Sequence, residues 1–141
     1  MTQKYEFVPG DEITIAPGRT VKRIRALIAI AAFGVVPRQL GGYVESGNNL
    51  SQVSGDAWVS GDAWVYGNAL IVWFSKVGTQ NGTLTVYNAK DDTIEVMRGC
   101  FRGSIDEFLA KSEKEHDEQT QLEYRMLIEV AYMRITKARK S

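Results

Sequence analysis

Arg98 and Arg102 stand four residues apart across Gly99-Cys100-Phe101, and Ser104 follows two residues after the second arginine. Ser104-Ile105-Asp106-Glu107 has the spacing of a capping box, so Ser104 is expected to open a helix. The junction Gly99–Ser104 then carries a strand into a helix N-terminus, where unpaired amides and the positive end of the helix dipole suit an anion. Arg98 and Arg102 would add charge there. Trp58, Trp64 and Tyr66, with Trp73 and Tyr87, would offer faces for stacking. Such a set would hold a nucleotide-like molecule between subunits. An ordinary capped helix with surface arginines accounts for the same residues, and that alternative stays open.

Catalysis finds little to stand on. The only histidine, His116, falls in a charged linker, Lys114 to Gln119, and reads as a solvated side chain. Cys100 has no His or Asn neighbour in sequence and reads as a small buried hydrophobe. Asp56 and Asp62 resemble a carboxylate pair but are better explained as turn residues. No cluster suggests a metal, and no phosphate-binding GxxxxGK[ST] loop is present. Neither a catalytic residue nor a cofactor is expected.

Seventeen basic and seventeen acidic side chains cancel. No global field therefore attracts nucleic acid or an anionic membrane, and neither is expected as a partner. The single cysteine excludes an internal disulfide and fits a cytoplasmic location. The N-terminal MTQKYEFVPGDE lacks signal-peptide character, and the apolar run Ala26–Val36 is too short for a spanning helix. The 141 residues suit one domain, or a domain with a helical appendage.

The elements that must carry these residues centre on Val53–Ala69, which reads VSGDAW, VSGDAW, VYGNA. Each six-residue unit holds an aliphatic residue (Val53, Val59, Val65, then Ile71), a Gly-Asp or Gly-Asn pair, and an Ala. This is the pattern of one turn of a left-handed β-helix, with Gly55, Gly61 and Gly67 at the corners. Strand alternation puts Ala57 and Val59 inside and Trp58 outside, and likewise Trp64 and Leu70 outside. Outward indoles call for cover by the chain's own elements, by a subunit interface or by a ligand.

Upstream, strands are expected at 4–15, broken by a Pro9-Gly10 turn, and at Thr20–Ile30. Pro37 and Gly41-Gly42 break the chain before two degenerate units at Val44 and Leu50. Downstream, Leu70–Val77 and Thr83–Tyr87 form a hairpin about Asn81-Gly82, and Thr93–Arg98 adds a third strand. Helices are expected at Ile105–Glu113 and Glu118–Lys137. In the second, Leu122, Met126, Val130 and Met133 repeat at helical spacing, with Ile128, Ala131 and Ile135 widening the stripe.

The fold expected is mainly β with a C-terminal α part: a short left-handed β-helix extended by antiparallel strands and closed by a two-helix cap. The β domain spans 1–103, with the hexapeptide coil at 41–71 and antiparallel strands at 71–98; the helical cap spans 104–141. One rung cannot bury its apolar face alone, so a homo-oligomer is expected, either a trimer about the prism axis or a dimer through the helices.

The segments Arg23-Ile24-Arg25-Ala26-Leu27, Leu40–Ser46 and Asn48–Gln52, running into the Gly-Asp-Ala-Trp-Val units, resemble a family of phage and prophage proteins with short hexapeptide repeats. Asn81–Thr85, Arg98–Phe101 and Asp106-Glu107-Phe108 look like that family's C-terminal cap. The hexapeptide section is more distantly similar to acyltransferase-like left-handed β-helix proteins, which use a His beside a coenzyme A cleft; here the one His lies outside the repeat. The resemblance implies a small oligomeric phage protein in the cytoplasm of an infected bacterium. Such a protein would antagonise a defence pathway by sequestering a small nucleotide-derived signal through Arg98, Arg102, Ser104, Trp58, Trp64 and Tyr66. The alternatives are direct inhibition of a host immune protein and an inactive acyltransferase-like structural protein.

Overall fold

The structure is a computed structural model that describes residues 3–30, 33–46, 50, 58–59, 63–66, 70–78, 82–99 and 101–139. Among the described residues, two four-stranded sheets are followed by two helices. The first sheet runs in the order β1 (Tyr5–Ala16), β2 (Arg19–Ala26), β3 (Leu40–Val44) and β4 (Trp64–Val65). The first three strands are antiparallel, whereas β4 joins β3 in parallel, pairing Tyr43 with Trp64 and Val44 with Val65. The second sheet is an antiparallel meander of β5 (Ile71–Val77), β6 (Gly82–Ala89), β7 (Thr93–Arg98) and β8 (Phe101–Ser104). Helices α1 (Ile105–Glu115) and α2 (Glu118–Arg139) follow.

The left-handed β-helix expected from the repeats is not formed. Both sheets are open and rich in antiparallel pairs, and only Trp64–Val65 of the described repeat residues is a strand. A solenoid rung is held by rungs stacked above and below it, and this chain supplies too few. β3 takes β2 as its antiparallel neighbour on one edge and the repeat residues on the other: Gly42 N donates to Val59 O at 3.0 Å and Tyr43 N to Ala63 O at 2.9 Å. With no prism there is no prism axis for a trimer. The corner residues Gly55, Asp56, Gly61, Asp62, Gly67 and Asn68 lie outside the described residues, as do Ala57, Asn81 and Cys100.

The outward placing of Leu70, which is 2 % exposed, is likewise overturned, and so is that of Trp58. Its side chain is 1 % exposed and packs in one cluster with Tyr5, Ile24, Val44, Val59 and Val65. Gly41 makes the room: a Cβ there would stand 2.6 Å from Trp58 Cζ2 and 2.8 Å from Ile24 Cγ1. Burial of so large a ring outweighs the strand alternation that would have put it in water.

Elsewhere the elements differ from expectation in bounds and detail. Pro9-Gly10 does not end a strand. β1 runs through it with a register shift between Phe7 and Glu12, and Gly10 takes a positive φ of 81°. β2 stops at Ala26 rather than Ile30. A short strand, β8, replaces the expected open junction before α1.

The second sheet has two covered faces. Ile71, Tyr87 and Met97 join the cluster that holds Trp58. Leu84, Val86 and Val96 face the helices, where Phe108, Tyr124, Ile128, Ala131 and Ile135 cover them. The buried side of α2 is therefore Tyr124–Ile128–Ala131–Ile135, and Leu122, Met126, Val130 and Met133 are exposed. A helix apolar on two sides satisfies the same periodicity with either side inward, and sequence spacing had merged the two. Tyr124 sets the choice: it packs edge-on against Phe108 at 5.1 Å and sits against Gly78, which has no side chain to meet it.

Candidate functional site

The hairpin from β7 into β8 turns at Gly99, whose φ of 59° suits glycine. β8 delivers Ser104 to the start of α1. There the capping box closes as its spacing requires: Ser104 Oγ accepts from Glu107 N at 3.1 Å, and Glu107 Oε1 accepts from Ser104 N at 2.9 Å. The Ser104 backbone N–H, and after it the Ser104 hydroxyl, hold the Glu107 carboxylate below its ordinary range. The helix N-terminus thus already carries a carboxylate of its own.

Beside this cap lies a groove of about 740 Å³ between β7, α1 and α2. Its floor is apolar, formed by Ile94 of β7, Ile105 and Leu109 of α1, and Ile128 of α2. Asp92, Thr93, Ser104 and Asp106 line one side, and Arg125, Glu129, Tyr132 and Arg139 the other. Three acidic and two basic residues leave the lining one charge negative.

Arg139 is not idle in this rim. Its Nε and Nη2 donate to Asn88 Oδ1 at 2.8 and 2.6 Å, and Nη2 also donates to Thr93 O at 3.0 Å. Asn88 is fully buried, and its Nδ2 donates to Trp64 O at 2.9 Å. One side chain on β6 thereby ties β4 of the first sheet to the end of α2. At the same edge Tyr66 OH donates to Asp92 Oδ1 at 3.0 Å, while the Arg19 guanidinium lies 5.0 Å from the Tyr66 ring centroid. Burial, then the Asp92 hydrogen bond, pushes the Tyr66 phenol above its ordinary value, against the opposing pull of Arg139 and Arg19.

The six expected site residues fall in different places. Ser104 lines the groove. Tyr66 reaches its rim through Asp92, whereas Trp64 meets Asn88 only through its backbone carbonyl and does not line the groove. Trp58 is in the core. Arg98 and Arg102 are on opposite faces of the second sheet. Arg98 Nε donates to Tyr124 OH at 3.1 Å on the helix side, and Arg102 lies 3.8 Å from Glu95 on the other. Glu95 also accepts a hydrogen bond from Tyr87 OH. The two arginines do not converge on one ligand.

Sequence reasoning missed Asn88, Arg125, Tyr132 and Arg139. Asn88 carried a signal, since asparagine is depleted from strand interiors and stands here after Thr83–Tyr87. The other three lie on one side of α2 that sequence spacing did not separate from its apolar faces. Among the described residues no group of three or more His, Cys, Asp or Glu side chains is placed to hold a metal ion. Among them, too, no helix is long and apolar enough to cross a membrane. Comparison with known protein families, curated proteins and solved structures finds no match to this chain.

Proposed function

We propose that the chain acts by non-catalytic binding of a protein segment in the groove between β7, α1 and α2. The supporting observation is the lining itself: an apolar floor of Ile94, Ile105, Leu109 and Ile128 under a rim that carries Tyr132 and Arg125. Grooves of this kind take the apolar face of an amphipathic segment, and Tyr and Arg are enriched among residues that dominate such interfaces. The negative balance of the rim favours a segment carrying basic side chains. In the setting that the repeat resemblance implies, the partner is a host defence protein met in the cytoplasm of an infected bacterium.

Sequestration of a nucleotide-derived signal through Arg98, Arg102 and Ser104 is the weaker reading. The arginines face opposite ways and are engaged with Tyr124 and Glu95, and the Ser104 amide is capped by Glu107.

The test is an array of amphipathic peptides of varied charge, read by calorimetry. A basic member is expected to bind, and Tyr132→Ala together with Glu129→Lys should weaken it at least tenfold without changing the melting temperature. Thermal-shift screening against cyclic nucleotides and ADP-ribose derivatives runs alongside. A nucleotide that stabilises the fold, and stops doing so in Arg102→Glu, would overturn the peptide reading in favour of sequestration.

A further inference from the structure

Leu122, Met126, Val130 and Met133 are 48, 58, 42 and 61 % exposed and lie on the side of α2 opposite its buried residues. At about 100° per residue they form one stripe, and at these exposures they present roughly 400 Å² of apolar surface, about half of what each partner contributes to a standard interface. Side chains flanking the stripe would supply the rest. Such a ratio of apolar to polar area is ordinary for a protein–protein contact.

We infer that this face of α2 is the dimer surface of the protein, occupied by the same face of a second copy running antiparallel. Charge selects that occupant. On the exposed side of α2 Glu123 stands in the N-terminal half and Arg134 and Lys137 in the C-terminal part, with no acid after Glu129, while Arg125 and Arg139 line the groove. Glu123 and Arg134 edge the stripe along the same side of the helix wheel, and Lys137 continues it one turn past Met133. A two-fold axis between Met126 and Val130 sets Leu122 of one copy against Met133 of the other and brings Glu123 level with Arg134 of the second copy, twice over by symmetry. The helix dipoles also oppose each other favourably. A parallel pair would instead crowd acidic turns together at one end and basic turns at the other.

Shape supports the same register. A hollow of about 450 Å³ lies beside Leu122 and Met126, with Gly78, Gln119 and Glu123 in its wall. Met133 of the second copy falls at that level, and methionine is the side chain most able to fill an irregular gap. The surface is separate from the groove proposed above as a binding site, so either reading stands without the other.

Light scattering on the full chain at micromolar concentration should give about 31 kDa, twice the 15.7 kDa chain mass. Met133→Lys should return the monomer mass with unchanged circular dichroism, because Met133 is exposed in the folded chain. On a Cys100→Ser background, a mixture of Leu122→Cys and Met133→Cys should form a heterologous disulfide, while each variant alone should not. A monomer mass at all concentrations, a dimer that survives Met133→Lys, or cross-linking of Met133→Cys with itself would overturn the inference.

Discussion

Asn88→Ala should loosen the joint between the two sheets and the last turn of α2. The side chain makes three short hydrogen bonds from a fully buried position: Nδ2 to Trp64 O at 2.9 Å, and Oδ1 from Arg139 Nε and Nη2 at 2.8 and 2.6 Å. A hydrogen bond to a charged group contributes about 1.5–3 kcal/mol, and a buried carbonyl left unpaired costs about 1 kcal/mol or more. Arg139 keeps Thr93 O at 3.0 Å and is only half-buried, so it regains some solvation. The expected loss is about 2–4 kcal/mol. For a chain of this length an entropy of unfolding near 2.1 cal/mol/K per residue makes that a fall in melting temperature of roughly 7–13 °C. Urea and thermal unfolding at one protein concentration should be run on Asn88→Ala, Arg139→Met and the double variant, so that any assembly equilibrium is held constant. The two sites share one interaction, so the two single losses summed should exceed the loss of the double by about 1.5 kcal/mol or more. Additivity within about 0.5 kcal/mol would refute the joint, because independent sites behave that way.

Trp58→Ala should destabilise by about 3–5 kcal/mol, the cost of emptying an aromatic core site; a loss under about 0.5 kcal/mol would mean that the indole faces water. Tyr5 OH donates to Leu50 O at 2.6 Å, and burial pushes its pKa up from 10.0 to about 12. The unfolded chain then loses this proton first as pH rises, so the contribution is complete below pH 10.0 and is lost on the way to about 12. Alkaline unfolding of Tyr5→Phe should show a shallower fall in stability over that window, and an unchanged slope would count against the assignment. Glu107 behaves oppositely. Its folded pKa is held below 4.5, mainly by the Ser104 backbone N–H, so its cap is complete above that value and is lost as pH falls through the lowered one. Acid titration followed by helix circular dichroism should show α1 weakening over that window in the wild type, whereas Glu107→Gln should start with a weaker cap and show no such acid step; equal acid steps in both would count against the assignment.

Local chemistry was legible in the chain. Ser104 and Glu107 set the start of α1 because capping needs only four consecutive residues. The strands at Ile71–Val77 and Gly82–Ala89 lay where their β-rich runs and the intervening turn signal put them. α1 and α2 begin where expected and run two residues further. The candidate site was less legible, since only Ser104 of the expected residues lines the groove. Arg98 and Arg102 were paired by proximity in sequence, but a hairpin turned one to each face of a sheet. Arg139 and Asn88 are 51 positions apart, and nothing in a local window relates them.

Capping and hydrophobic period thus determined the two helices and the strands from Ile71 to Arg98, because those preferences are settled between near neighbours along the chain. Which way Trp58 points, which side of α2 is buried and which strand edge takes the repeat residues were decided only by the tertiary structure. Each depends on the volume and hydrogen-bonding groups offered by residues distant in sequence: the missing side chain at Gly41, the Phe108–Tyr124 contact, and the free edge of β3.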